Sequence, residues 1–134
     1  MKFFKFCAVS AISAIITTLA IGCSSEPVIS VQTMAEVDSL MTLPGEWSPQ
    51  DVNEVKNVLV KCYQEITPTM VNIAKKSESA QEWDENAVQI EKETAAVQKL
   101  YDRFMISRYT QLQYDDVMKA RKEMQDKVSE AKKN

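Results

Sequence analysis

Apolar side chains recur at alternating steps of three and four residues along most of the chain after residue 33. In the longest such stretch they are Val52, Val55, Leu59, Cys62, Ile66, Met70 and Ile73. Two further stretches, 83–104 and 117–131, share this spacing, and a shorter one covers 34–41. The spacing places the apolar residues on one side of an α-helix. It therefore predicts three long helices and one short helix before them.

Helix starts are marked by a serine or threonine followed three residues later by an acidic residue. The pairs are Thr33 with Glu36, Ser48 with Asp51, and Ser79 with Glu82. A hydroxyl at such a position accepts a hydrogen bond from a free backbone N–H of the first turn, and the acid returns one. Proline at the first helical position, here Pro49, strengthens the second start.

Two places leave the helix boundaries open. Pro68 lies inside the longest stretch and removes a backbone donor, so a kink or a break near Thr67 is expected. Between Ser107 and Asp116 neither glycine nor proline marks a turn. A turn is nevertheless favoured there, because one straight helix over 80–132 would be about 80 Å long. An extended coiled-coil hairpin is the alternative.

The composition is informative because it contains very few glycines and no histidine. The chain has two glycines, of which only Gly45 lies after residue 22, and β-hairpins usually need more. The predicted fold is all-α, an antiparallel three-helix bundle with a short extra N-terminal helix. No histidine is present, which excludes Ser-His-Asp and Cys-His catalysis and histidine-ligated zinc. No catalytic residue, metal ligand or cofactor site is predicted, and the protein is not expected to be an enzyme.

The first 22 residues have the layout of a secretory signal. Lys2 and Lys5 precede an apolar run from Phe6 to Ile21, which is short for a bilayer span of about 20 apolar residues. A permanent transmembrane helix is the alternative. The run ends in Leu19-Ala20-Ile21-Gly22-Cys23, followed by Ser24. This end resembles the lipobox of bacterial lipoproteins, in which a small residue precedes a cysteine, although Ala20 stands where leucine is preferred.

The resemblance implies cleavage before Cys23 and attachment of fatty acyl chains, such as palmitate, to that residue. Two or three acyl chains on one residue suffice for stable membrane anchoring. In Gram-negative bacteria, serine after the cysteine implies delivery to the outer membrane, facing either the periplasm or the exterior. The expected organisation is a signal peptide over 1–22, a lipidated N-terminus and tether over 23–32, and a helical domain over 33–134. The resemblance covers residues 1–24 alone.

Loss of Lys2 and Lys5 with the leader changes the formal charge from −3 to −5. A net-negative domain lacks the basic field that attracts nucleic acid, so no nucleic-acid binding is expected. It also lacks electrostatic attraction to anionic lipid, so membrane attachment is expected through Cys23 alone.

Two sets of residues are candidates for sites in the helical domain. Cys62 is the cysteine that remains after processing and lipidation, and its place on the apolar stripe predicts a buried side chain; a reactive or pairing thiol is the alternative. Arg108, Tyr109 and Tyr114 lie in the densest aromatic cluster, and arginine and tyrosine are frequent at binding hot spots. Their position near the predicted turn makes them candidates for binding a protein partner. Acidic pairs such as Asp115 with Asp116 are interpreted as solvated helix-start charges.

These observations favour a lipid-anchored envelope protein whose helical domain binds another envelope protein as an accessory, adaptor or immunity protein. A small-ligand carrier or sensor with a pocket between helices is the alternative, and it predicts a concave apolar cavity. An enzyme that uses carboxylates or tyrosines is a third, weaker hypothesis.

Overall fold

The structure of the protein is a computed structural model that describes residues 27–133. In this range it contains five α-helices, α1 (Val31–Met41), α2 (Pro49–Lys76), α3 (Ala80–Glu93), α4 (Ala95–Met105) and α5 (Tyr114–Lys133). A short 3₁₀ helix, Thr110–Leu112, precedes α5. No strand occurs in residues 27–133, and the predicted all-α fold is confirmed. The predicted signal peptide and Cys23 lie outside the described residues.

Two of the three predicted helix starts are confirmed. The Ser48 hydroxyl accepts a hydrogen bond from the Asp51 N–H at 3.1 Å, and the Asp51 carboxylate accepts one from the Ser48 N–H at 3.0 Å. This reciprocal pair satisfies two backbone donors that the first turn of α2 leaves free. At α3, the Ser79 hydroxyl accepts from the Glu82 N–H at 3.1 Å.

The predicted start of α1 at Thr33 is wrong, because Ser30 takes that role. The Ser30 hydroxyl accepts from the Thr33 N–H at 3.2 Å, and Thr33 is itself buried. The preceding pair, Val28 and Ile29, is also buried in the core although the sequence assigned it to the tether. The packed part of the chain therefore begins near Val28, five residues before the expected boundary at 33. Two adjacent apolar residues carry no helical period, so the sequence pattern did not reveal them.

The third predicted helix is divided into α3 and α4 at Thr94. The Thr94 N–H and hydroxyl both donate to the Ile90 carbonyl, at 2.9 and 2.8 Å. The division lies in the backbone of Thr94, whose φ of −107° and ψ of 14° depart from helical values. Between residues 27 and 133 the α-helices consequently number five instead of the expected four.

Pro68 does not break α2, which continues to Lys76. The proline side chain is exposed, and the Thr67 hydroxyl donates to the Tyr63 carbonyl at 2.6 Å one turn below it. The expected turn between α4 and α5 is confirmed, since α4 ends at Met105 and α5 begins at Tyr114.

Side-chain contacts fix the directions of the helices. Near their starts, α2 and α5 are joined by an ion pair of 3.3 Å between Lys56 and Asp116, and near their ends Ala74 packs with Val128. These two helices therefore run parallel. Helices α3 and α4 run back in the opposite direction, because Trp83 of α3 joins the contacts around Val128 and Arg103 of α4 reaches the segment before α2.

The buried apolar residues form two clusters of very different size. The main core joins residues of α1, α2, α4 and the start of α5, and its completely buried members include Val37, Leu59, Leu100, Phe104 and Val117. The second cluster, here called the distal cluster, lies where α2 and α5 end. It consists of Ala74, Val128 and Ala131, with Trp83, Met70 and Val71 packed against it.

Candidate functional site

The three predicted partner-binding residues lie on or beside the connection between α4 and α5. Arg108 is exposed, with its guanidinium 5.6 Å from the centroid of the Tyr109 ring. Tyr109 is half-buried and packs against the main core, whereas Tyr114 is 37% exposed at the first position of α5. The structure thus leaves Arg108 and Tyr114 accessible, while Tyr109 packs the connection against the main core.

Two aliphatic residues of the same connection, which the sequence analysis did not single out, are more exposed than either tyrosine. Ile106 is 85% exposed and Leu112 is 70% exposed. Together with Arg108, Tyr109 and Tyr114 they form what is called here the 106–114 surface. Single exposed apolar residues are common, but two aliphatic side chains this exposed on one short connection make it a candidate interaction site.

The backbone of the 106–114 surface is held from inside the molecule. Phe104 is completely buried at the end of α4, and its carbonyl accepts a hydrogen bond from the buried Thr110 hydroxyl. At the other side, the ion pair between Lys56 and Asp116 ties the first turn of α5 to α2. The exposed side chains are therefore presented by a connection whose two ends are fixed, which lowers the entropy lost on binding.

Arg103 fastens the last turn of α4 to the segment between α1 and α2. Its guanidinium donates to the carbonyls of Met41, Leu43 and Gly45 at 3.2, 2.8 and 3.1 Å. The same group lies over the ring of the buried Trp47, 4.4 Å from its centroid. Gly45 adopts a φ of +67°, which a side chain would disfavour. Arg103 therefore satisfies carbonyls where α1 ends, and it does so next to the 106–114 surface.

The sequence pattern contained one overlooked signal for this arrangement. Trp47 directly precedes the Ser48 cap, and Val52 follows it at the fourth helical position. Apolar residues at these two positions commonly pack together and fix the direction in which the chain enters a helix. Both residues belong to the main core. No local pattern indicates the carbonyl partners of Arg103.

Cys62 is completely buried in the main core, as the apolar stripe predicted. Burial, with a further contribution from the nearby Glu65 carboxylate, raises the pKa of its thiol to about 12. Thiolate is the reactive form of cysteine, so this environment suppresses reaction at neutral pH. The folded domain offers no accessible thiol at this position.

A polar cluster joins α2, α4 and α5 in the middle of the molecule. Arg121 donates to the Tyr101 hydroxyl at 2.6 Å and lies over the same ring, 4.2 Å from its centroid. Tyr63 is buried on the other side, 5.9 Å from the guanidinium, and burial raises the pKa of its phenol. A tyrosine with a raised pKa is a poor acid–base group near neutral pH. The arrangement joins α2, α4 and α5 through one guanidinium and two aromatic rings.

Glu65 of α2 binds the start of α1. Its carboxylate accepts from the Ser30 N–H at 2.8 Å and from the Thr33 hydroxyl at 2.6 Å. Burial alone would raise the pKa of Glu65, but these hydrogen bonds outweigh it and the pKa lies below its usual value. Lys61, one turn earlier, pairs with Glu36 of α1 at 2.6 Å. Helix α1 is therefore tied to α2 through two acidic side chains.

No metal centre is found within residues 27–133. No group of three or more His, Cys, Asp or Glu side chains converges there. Two depressions, of about 150 and 270 Å³, are open clefts along the α2–α5 pair that share Gln64, Ala120 and Glu123. Their linings mix charged and aliphatic residues, unlike the concave apolar pocket that the ligand-carrier hypothesis predicts. Among the helices in this range, none combines the length and the apolarity needed to cross a bilayer.

No protein-family model matches the chain, and comparisons with curated proteins and with solved structures likewise find no match.

Proposed function

We propose that this protein is a lipid-anchored accessory of the bacterial cell envelope that binds a protein partner through the 106–114 surface and catalyses no reaction. In this proposal residues 1–22 are removed as a signal peptide and Cys23 carries the acyl chains. Ser24 then directs the protein to the outer membrane if the organism has one. The support for the anchor is the sequence of the leader and its small residue before Cys23.

The observation that carries partner binding is the exposure of Ile106 and Leu112 on one fixed connection. Full burial of an aliphatic side chain of this size is worth about 1.5–3 kcal/mol relative to exposure. Two such side chains on a fixed backbone therefore favour association with an apolar surface. Arg108 is the single charged residue within 106–114, and an acidic group on the partner would complement it.

The supporting scaffold is proposed to be an antiparallel three-helix bundle, in which α2 and α5 form two members and the α3–α4 pair forms the third. Helix α1 is the short extra helix of this arrangement. The scaffold supports the proposal because the 106–114 surface joins two of its members at one end. Motions of that surface relative to the core are limited by Phe104 and by the Lys56–Asp116 ion pair.

Lipid anchoring is tested by expressing the full chain and the Cys23→Ala variant in a Gram-negative host. Mass spectrometry of wild type should show a mature protein that begins at Cys23 and carries acyl chains. The Cys23→Ala variant should lose lipid labelling and leave the membrane fraction. A wild-type protein with an unmodified Cys23, or with residues 1–22 still attached, contradicts the anchor.

Partner binding is tested by chemical crosslinking in intact envelopes, followed by purification of the tagged protein. The test variant is Ile106→Ser with Leu112→Ser, which leaves Tyr109 and the core unchanged. The matched control is Val88→Ser on α3, where an aliphatic residue is 47% exposed away from the 106–114 surface. One crosslinked protein should be retained by wild type and control and reduced at least about tenfold by the double variant. Equal crosslinking in all three proteins contradicts the proposal.

A further inference from the structure

The place where the N-terminal tether leaves the folded body is fixed by buried residues. Val28 and Ile29 are 7% and 4% exposed and belong to the main core. Directly after them, the Ser30 N–H donates to the Glu65 carboxylate, which ties the chain to the middle of α2. The tether therefore ends at Val28 beside the start of α1.

The distance that the tether can cover is short. From Cys23 to Val28 the chain advances five residues, which span at most about 17 Å when fully extended. If Cys23 is held at the bilayer surface, the start of α1 must lie within that distance of the lipid headgroups. The earlier sequence-based boundary at residue 33 would have allowed about twice this distance.

The 106–114 surface lies at the opposite end of α1. Helix α1 has 11 residues and is therefore about 16 Å long. Its last residue, Met41, accepts a hydrogen bond from Arg103, which stands three residues before Ile106. One length of α1 thus separates the tether exit from the proposed partner-binding surface.

The two ends of α1 also differ in charge, and the difference favours placing the start of α1 nearer to the bilayer. Residues 27–35 contain no charged side chain, and Val31 among them is 79% exposed. The first charged residue after them, Glu36, pairs with Lys61 at 2.6 Å, and the Glu65 carboxylate of α2 is occupied by hydrogen bonds from Ser30 and Thr33. By contrast, the exposed acidic residues Glu46, Glu54 and Asp115 accompany the 106–114 end, where a fourth acid, Asp116, pairs with Lys56 at 3.3 Å. Acidic residues are repelled by the negative surface of a bilayer that contains anionic lipid.

We propose that the uncharged start of α1, with Val31 at its centre, rests on the lipid headgroups and that the 106–114 surface is held away from the bilayer. This orientation depends on the acylation of Cys23 proposed above. In this orientation the region around Val31 contacts a lipid surface. It also leaves the 106–114 surface free for a protein partner beyond the headgroup layer.

The test uses the lipidated full-length protein in vesicles of phosphatidylethanolamine with a minor fraction of phosphatidylglycerol. A single environment-sensitive fluorophore is attached to Val31→Cys or to Leu112→Cys, and wild type serves as the labelling blank because Cys62 is buried. Lipids that carry a quencher near the headgroup are then added. Quenching at Val31→Cys should be at least about twofold stronger than at Leu112→Cys.

Two controls separate this proposal from the proposed function. The same labelled variants produced without residues 1–23, and therefore without leader, anchor or Cys7, should show no quenching at either position. Flotation of the vesicles and mass spectrometry report acylation independently of orientation. Equal quenching at both positions, or stronger quenching at Leu112→Cys, in protein that floats with the vesicles overturns the orientation while leaving the anchor intact. Failure to float, with Cys23 unmodified, overturns the anchor and the orientation together.

Discussion

The two ends of the helical domain differ in the size of the side chains that they bury. At the 106–114 end, large side chains such as Leu59, Leu100 and Phe104 are completely buried, and Arg103 joins three backbone carbonyls. At the other end, the distal cluster consists of two alanines and a valine, with Trp83 half-buried beside them. Helix α3 buries only Ile90.

The free energy of unfolding is therefore expected to be distributed unevenly along the molecule. Burial of apolar area is the main favourable contribution, and a region with few buried apolar contacts opens more easily than the global transition requires. The 106–114 surface lies at the end with the larger buried core, where less local opening is expected. The following predictions compare the two ends, beginning with the largest expected difference.

Thiol labelling at pH 8 should distinguish the ends most strongly. Cys62 is completely buried in the main core with a pKa of about 12, whereas an Ala131→Cys thiol would lie in the distal cluster. We expect native Ala131→Cys to react at least about a hundredfold faster than Cys62, because local opening exposes it. Mass spectrometry of a labelling time course measures both rates. Similar rates in the folded state would show that the ends open together; similar rates in denaturant are required as the control.

Truncating a buried side chain should lower the free energy of unfolding more in the main core than in the distal cluster. Phe104→Ala removes a completely buried ring from the main core and should lower the free energy of unfolding by about 3–5 kcal/mol. Val128→Ala in the distal cluster should cost only about 1–2 kcal/mol. Urea denaturation followed by circular dichroism measures both values. An equal cost at the two positions would contradict the uneven distribution.

Arg103→Ala should destabilise the domain by about 2–3 kcal/mol, because three carbonyls lose a charged donor and Trp47 loses its stacked guanidinium. Arg103→Lys should recover less than half of this loss, since an ammonium group lacks the planar fork of donors. Exposed Arg108 provides the matched control, and its replacement by alanine should change stability by no more than about 0.5 kcal/mol. A small effect at Arg103 would mean that water replaces its hydrogen bonds.

Glu65→Gln should alter how stability depends on pH. The pKa of Glu65 is lowered by hydrogen bonds from Thr33 and Ser30, so its stabilising contribution is present above the unfolded value near 4.5 and is lost as the pH falls through the folded value. We expect wild type to exceed the variant by about 1 kcal/mol near pH 7. The difference should shrink at acidic pH. Urea titrations at several pH values measure it, and a difference that grows on acidification would contradict this assignment.

The smallest effect is expected at the distal end. The Lys132 ammonium lies 3.9 Å from the centroid of the Trp83 ring, at a site where the lysine is exposed. Lys132→Ala should lower the free energy of unfolding by about 0.5 kcal/mol. Lys133→Ala is a neighbouring control without this contact. Tryptophan fluorescence should change for the first variant alone.

Sequence patterns predicted the helices and helix starts that depend on residues close together in the chain. The apolar stripe of α2 and its start at Ser48 depend on residues within a few positions of one another, and both are confirmed. The division at Thr94 was missed because the three-four spacing of apolar residues continues from Ile90 to Val97 across it. The true start of α1 was missed because the burial of Val28 depends on distant helices.

The candidate surface was predictable only in part. Arg108 and Tyr114 were identified from composition, and the structure places both at accessible positions. Ile106 and Leu112 were overlooked because periodicity identifies buried faces and gives no information about single aliphatic residues in a turn. Tyr109 was assigned to the surface, although contact with the core leaves it half-buried.

The hydrogen bonds of Arg103 also bear on the order in which the chain folds. They join residues that are 58 to 62 positions apart, so a long loop must close before they form. Closure of long loops delays contacts and slows folding. The carbonyls at the end of α1 consequently lack their donor until α4 has been synthesised and has docked. We expect the segment between α1 and α2 to acquire protection from amide hydrogen exchange late during refolding, after the connection between α4 and α5 has formed.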